Sequence, residues 1–289
     1  MSSRGSWKAV EGGGTAAVHK ESPTAQGERA ASAERQVGVW SRATPGSGRK
    51  GTMRVLVSSF CYNESTKIER VLSRFPAVRE YDLIVMNDGS TDDSVERIKK
   101  FPGVGIVNHP ENRGAGAALR TVHEYALKNG YEVLAVVAGN DKDDPLLVPR
   151  VLQPILEEGY DFIQGSRYLP GGGYGQIPFY RVAATKFVHP WLFSAVSGRR
   201  VTDSTNGFRA YRTAILRDPR LDLNQSWLDK YELEPYLFYK AIQLGYKVKE
   251  VPVTKIYPPH GQSYTKMKPI TGWWSILRPL VLLGLGIKK

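Results

Sequence analysis

Five short apolar runs, each followed by a polar turn and the first four each leading into a helical pattern, constrain this chain more than any other feature. The runs cover residues 55–60, 81–86, 104–108, 134–138 and 161–165, and helical patterns fall at about 65–73, 93–100, 117–128 and 146–158. Ser65 is placed as the N-cap of the first helix. Strands alternating with helices in this way predict an α/β fold with a mostly parallel sheet and helices on both faces. No Gly-x-Gly-x-x-Gly follows the first run and no P-loop pattern occurs, so the dinucleotide-binding version of such a sheet is disfavoured.

The fourth run ends on Gly139, Asn140, Asp141, Lys142, Asp143, Asp144 and Pro145. Carboxylates at the carboxyl end of a central strand lie where open α/β sheets bind ligands. Oxygen ligands gathered there suit Mg²⁺ or Mn²⁺ clamped on a diphosphate. The same residue types also make an ordinary solvated turn.

A length of 289 residues with 41% hydrophobic content suffices for one large domain or two small ones. The single cysteine, Cys61, excludes an internal disulfide and a cysteine-based zinc site, which suits a reducing cytoplasm. A formal charge of +12 points to an anionic partner. Basic residues are not interleaved with aromatics as in stacking platforms, so no nucleic acid is expected. Residues 1–52 are rich in Gly, Ser, Ala and Arg, lack periodicity and read as a disordered extension without a signal sequence; Met53 offers an alternative start. No uncharged apolar run is long enough to span a bilayer. Residues 170–175 read as a flexible, glycine-rich lid, and 248–253 as an edge strand because of Pro252.

Taken in order, the turns carry a recognisable series. Phe60-Cys61-Tyr62-Asn63-Glu64, Asn87-Asp88-Gly89-Ser90-Thr91-Asp92, Asn112-Arg113-Gly114, Asp141 with Pro145, Gly165-Ser166-Arg167, Asn206-Gly207-Phe208-Arg209 and Glu250-Val251-Pro252-Val253 follow one another. This series resembles the family 2 glycosyltransferases, and within them the dolichyl- and polyprenyl-phosphate mannosyltransferases, over about residues 54–256. The resemblance implies a GT-A domain over 53–258, a nucleotide-diphosphate sugar donor (GDP- or UDP-hexose), Mn²⁺ or Mg²⁺, inversion at the anomeric carbon and a polyprenyl phosphate acceptor. A soluble or glycan acceptor, or a non-catalytic nucleotide-sugar binder, are the alternatives.

Donor binding is assigned to Tyr62, Asn63, Glu64, Asp88, Gly114, Asn140 and Asp141, with Asp88 and Glu64 accepting from the base or ribose. Asp92 is read as an N-cap. Where the family has Asp-x-Asp this chain has Gly139 and Asp141, so Asp141 is the expected metal ligand, with Asp143 and Asp144 supplying further charge. Arg113, Arg167 and Arg209 are expected on phosphate, since guanidinium forks match its oxygens, and Arg113 and Arg120 flank a helix N-terminus that favours anions. A hydroxyl acceptor needs a general base, for which Asp203 is named first, with Glu232 and Glu234 as others; Asp203 and Arg209 are the catalytic candidates. In the tail, 259–289, Lys266, Lys268, Trp273, Trp274, Arg278, Lys288 and Lys289, together with Lys255, surround an apolar stretch. It reads either as a peripheral contact with the inner membrane face or as a helix packed on the domain.

Overall fold

The computed structural model describes residues 53–175, 179–256 and 269–288, with the side chains of the last segment described from 274 onward. The extension 1–52, Lys266, Lys268, Lys289 and the Trp273 side chain lie outside this set.

Seven strands form the central sheet: β1 (Val55–Cys61), β2 (Asp82–Asp88), β3 (Val104–His109), β4 (Val133–Ala138), β5 (Phe162–Ser166), β7 (Arg209–Arg212) and β8 (Val248–Pro252). Their order is β3-β2-β1-β4-β7-β5-β8. All neighbours are parallel except β7, which runs antiparallel to both β4 and β5. The expected mostly parallel sheet is present, and Pro252 lies on an edge strand, where a missing N–H costs no ladder bond. A two-stranded ribbon pairs β6 (Gly173–Tyr174) with β9 (Thr254–Lys255).

Parallel strands covered on both faces must be apolar throughout, which explains the near-continuous apolar runs. Leu56, Ile84, Met86 and Val136 face α3 (Ala115–Lys128), α6 (His189–Ser197), α7 (Leu233–Gln243) and α8 (Pro269–Gly284). Val57, Leu83, Val85 and Val137 face α1 (Ser65–Ser73), α2 (Ser94–Ile98) and α4 (Val148–Glu157). A further short helix, α5 (Phe179–Ala183), continues through one π turn into α6. Rings fill the first layer: Phe162 stacks on Tyr211 at 5.4 Å and on Phe238 at 5.2 Å. Each such pair adds about 0.5–1.5 kcal/mol beyond its buried area.

The order of strands reverses between β1 and β4, and the carboxyl ends of these two strands are level: Phe60 lies beside Ala138. Ligand crevices of open sheets form at such a switch point.

Several local expectations are corrected. Glu64, not Ser65, is the N-cap of α1; Ser65 has φ +26°, and the Ser94 hydroxyl accepts from the N–H groups of both Glu64 and Ser65. Asp93, not Asp92, is the N-cap of α2, although the Asp92 carboxylate accepts from the Ser94 N–H at 3.1 Å. The glycine-rich segment expected as a lid is tied down at Gly173 and Tyr174 by the ribbon with β9. The C-terminal helix is packed on the domain: Leu280 and Leu283 are buried with α6 and α7, and Arg278 lies 3.7 Å from Glu232.

Candidate active site

A cleft of about 650 Å³ opens at the carboxyl ends of β1, β2 and β4. Its lining includes Phe60, Tyr62, Glu64 and Asp88 from the ends of β1 and β2 and the turn after β1, Gly139, Asn140 and Lys142 after β4, and Arg167, Arg181, Lys230, Tyr231, Glu234 and Lys255.

Asp88 borders the cleft, but its carboxylate is occupied. One oxygen accepts from His109 Nδ1 at 2.7 Å and the Arg113 N–H at 3.0 Å; the other accepts from Asn112 Nδ2 at 3.0 Å and the Gly114 N–H at 2.9 Å. A carboxylate offers about four acceptor sites, so Asp88 shapes the Asn112–Gly114 turn rather than offering an acceptor to a ligand. The N-terminus of α3 is likewise used, because the N–H groups of Gly116 and Ala117 donate to the Asp229 carbonyl. Only glycine admits this approach at Gly116, where a Cβ would lie 1.9 Å from the Leu228 carbonyl oxygen. The Arg113 side chain is exposed outside the cleft lining, and Arg120 pairs with Asp229. Asn63 also lies outside the lining: its amide oxygen accepts from the Thr91 N–H and holds the turn after β2. Tyr62, Glu64 and Gly114 do line the cleft, as does Asn140, whose Oδ1 is buried without a hydrogen-bond partner among the described residues.

The acidic turn is built differently from the metal-binding expectation. Asp141 has φ +63°, a region aspartate tolerates better than most residues. There its carboxylate meets Arg70 of α1 and Arg74 just beyond it, each at 2.7 Å. Asp143 is fully buried and accepts from the Ala138 N–H and the Lys255 ammonium. Neither carboxylate lines the cleft, and each is already matched to a protein cation. The residues present at this turn therefore do not fit Mn²⁺ or Mg²⁺.

At Gly139 a Cβ would stand 2.3 Å from the Phe60 carbonyl oxygen and 2.9 Å from Ile68 Cδ1, so this backbone bars any side chain there. Gly139→Ala should cost about 1–3 kcal/mol through forced displacement of β1, read as a lower thermal midpoint. An unchanged midpoint would mean that the turn relaxes freely.

Lys142 is the charged residue of this turn that lines the cleft, beside Gly139 and Asn140. Its pKa is lowered to about 7, first by burial and then by the charges of Lys255 and Arg181. Lys142, Lys255 and Arg181 all line the cleft, and an anion placed among them relieves the repulsion that Asp143 and Glu64 offset only in part. Lys255, expected in a membrane-facing tail, is instead buried, and bonds Asp143 and the Asn206 side chain.

Arg167 lines the cleft and is gripped from behind by Asp203, whose carboxylate accepts from Nε at 2.7 Å and Nη2 at 2.8 Å. Asp203 is fully buried and absent from the lining. It positions Arg167 rather than facing a substrate, which corrects its assignment as a base. Glu250 supports the same loop by accepting from the Thr202 and Asp203 N–H groups, and burial raises its pKa. Arg209 is corrected too: it is 1% exposed, lies outside the lining, and donates to the carbonyls of Glu234 and Asn206. It props the start of α7, which brings Glu234 to the cleft. Glu232 is buried away from the cleft beside Arg278.

The sequence reading passed over Lys142 and Arg181 as ligand groups. For Lys142 a signal existed, a lone lysine among turn carboxylates; for Arg181 none did.

Comparison with known proteins agrees with this architecture. Residues 59–219 match the family model described as Glycosyl transferase family 2. The chain is 30% identical over 218 residues to an undecaprenyl-phosphate mannosyltransferase of Micrococcus luteus, covering 73% of this chain and 87% of that one. It is 29% identical over 209 residues to a polyprenol monophosphomannose synthase of Mycolicibacterium smegmatis, covering 70% and 77%. Among solved structures, a glucosyl-3-phosphoglycerate synthase of Mycobacterium tuberculosis in complex with Mn²⁺, UDP and phosphoglyceric acid superposes with a TM-score of 0.60 at 19% identity, covering 82% and 79%. That structure shows the shared fold alone. With the motif series, the sheet order and the cleft in place, the chain belongs to glycosyl transferase family 2 and has the GT-A fold.

Proposed function

We propose that this protein is an inverting hexosyltransferase that moves mannose or glucose from a GDP- or UDP-sugar to a polyprenyl phosphate at the cytoplasmic membrane face. The observation that carries this reading is the makeup of the cleft lining, which joins two sets of groups: Tyr62 and Glu64, and the cations Lys142, Lys255, Arg167 and Arg181. The first suits a nucleoside and the second suits the phosphates.

In the reaction an oxygen of the acceptor phosphate bonds to the anomeric carbon from the face opposite the leaving group. The bond from that carbon to the diphosphate oxygen breaks, and its electron pair leaves with the nucleoside diphosphate. An ionised phosphate carries no proton to remove, so no base is required. Arg167, rigidly held by Asp203, is preorganised against the charge that develops on the phosphates. A hydroxyl acceptor would need a base, and Glu234 is the lining carboxylate nearest Arg209, at 3.7 Å.

The acceptor's lipid tail has a matching surface. Phe179 (85% exposed), Tyr180, Trp191 (70%) and Trp274 (54%) project from α5, α6 and α8, and Phe187 from the π turn between α5 and α6. The same helices contribute Arg181 and Ile276 to the cleft. Exposed rings beside cations favour the bilayer interface. No described helix is long and apolar enough to cross a membrane, so this contact is peripheral in the reading.

The test is nucleotide release from a panel of GDP- and UDP-sugars, with and without polyprenyl phosphate. One donor should be consumed in a lipid-stimulated manner. Release with a soluble acceptor instead would shift the reading to that acceptor, and binding without turnover would make the protein a nucleotide-sugar binder.

A further inference from the structure

We propose that Lys142, assisted by Lys255 and Arg181, meets the diphosphate of the sugar donor in place of a divalent cation, so that this chain binds its donor without metal. This rests on the donor reading above and concerns how the same cleft holds it.

Three independent features point the same way. The first carboxylate position is Gly139, where the Phe60 carbonyl leaves no room for a side chain. Of the remaining carboxylates, Asp144 accepts from the Leu146 N–H and lies outside the cleft lining, while Asp141 is matched to Arg70 and Arg74, and Asp143 to Lys255. A metal would have to displace a guanidinium or an ammonium from Asp141 or Asp143, leaving that cation in a partly buried place without its counter-charge. Finally, the turn that directs Asp141 and Asp143 away from the cleft directs Lys142 into its lining.

The lysine is also fixed where it stands. The Ile256 N–H donates to the Lys142 carbonyl at 2.8 Å, and Asp143 forms a bridge with Lys255 of β9. A single strand thus holds Lys142 and Lys255 together. Lysine acts on phosphate as a compact point charge, which is the part a divalent ion plays on a diphosphate. When the bond to the anomeric carbon breaks, the electron pair moves onto the diphosphate oxygen. Cations held in advance stabilise that charge without reorganising.

Calorimetric titration of the full chain with UDP and with GDP, in EDTA and again with Mn²⁺, tests this. One nucleotide should bind in EDTA with a Kd within about twofold of its value with Mn²⁺. Lys142→Met should weaken that binding by about 10- to 100-fold, the worth of one charge-assisted contact, while Lys142→Arg should stay within about fivefold. The metal comparison on the unaltered protein is decisive even if Lys142→Met folds poorly. Binding that appears only with Mn²⁺ overturns the inference and leaves the donor reading standing, as does a folded Lys142→Met that binds like the parent. Failure of both nucleotides under both conditions overturns the two together.

Discussion

Asp203→Ala should lower stability by about 3–5 kcal/mol, because it strands the Arg167 guanidinium as an uncompensated buried charge. Arg167 and Asp203 have side chains only 4% and 0% exposed, and the pair is joined by two side-chain hydrogen bonds. The Arg167 N–H also donates to the same carboxylate, so the loop after β5 would lose its anchor. A general base behaves otherwise: its removal depresses kcat and leaves the fold intact. Urea midpoints of the parent and Asp203→Ala decide the matter. A variant as stable as the parent but inactive would restore Asp203 to the role of base. As a control, Arg167→Met with Asp203→Leu should recover most of the lost stability, since an apolar pair of similar volume carries no desolvation penalty. It should remain inactive, because the cleft has lost a phosphate-facing cation.

The second large effect is a loss of stability on mild acidification. His123 is a buried residue of α3, with Tyr211 bonded to Nε2 at 2.7 Å and the Arg120 charge nearby; its pKa is lowered to about 3 by burial first and Arg120 second. His189 is buried with Ser204 on Nδ1 and the Ile276 carbonyl on Nε2. Its pKa is lowered to about 4, chiefly by burial, with Ile276 and Asp203 opposing. Both rings are neutral in the native state and ionise near 6.5 once unfolded. Protons therefore bind the unfolded chain preferentially below that pH, and the native state loses about 1.4 kcal/mol per pH unit per histidine. From pH 7 to pH 5 the two together should remove about 4 kcal/mol, a large share of a total of about 5–15. Urea midpoints at the two pH values measure it. His123→Gln should flatten the dependence, and equal midpoints at pH 5 and pH 7 for the parent would refute it.

Sequence periodicity was enough to place β1 to β5, α1, α3 and α4, because parallel strands buried on both faces must be apolar and their crossovers must be amphipathic. It also placed the motif residues at strand ends, where the cleft lies. The antiparallel insertion of β7 between β4 and β5 was not legible, since nothing local distinguishes a strand that pairs one way from one that pairs the other.

The roles of the charged residues divide along the same line. Asp88, Asp141, Asp143, Asp203 and Arg209 were recognisable as unusual charges in turns, but which of them faces a ligand depends on partners far away in the chain. Asp143 is held by Lys255, 112 residues on, Asp141 by Arg70, 71 residues back, and Asp203 by Arg167, 36 residues back. A carboxylate satisfied by a protein cation and one presented to a substrate look identical in sequence. The sequence by itself determined the layers of the fold, the place of the cleft and the family, because those follow from local periodicity and motif order. Only the tertiary structure decided which charges are turned away from the cleft and which, Lys142 among them, line it, because burial and pairing are properties of residues brought together by folding.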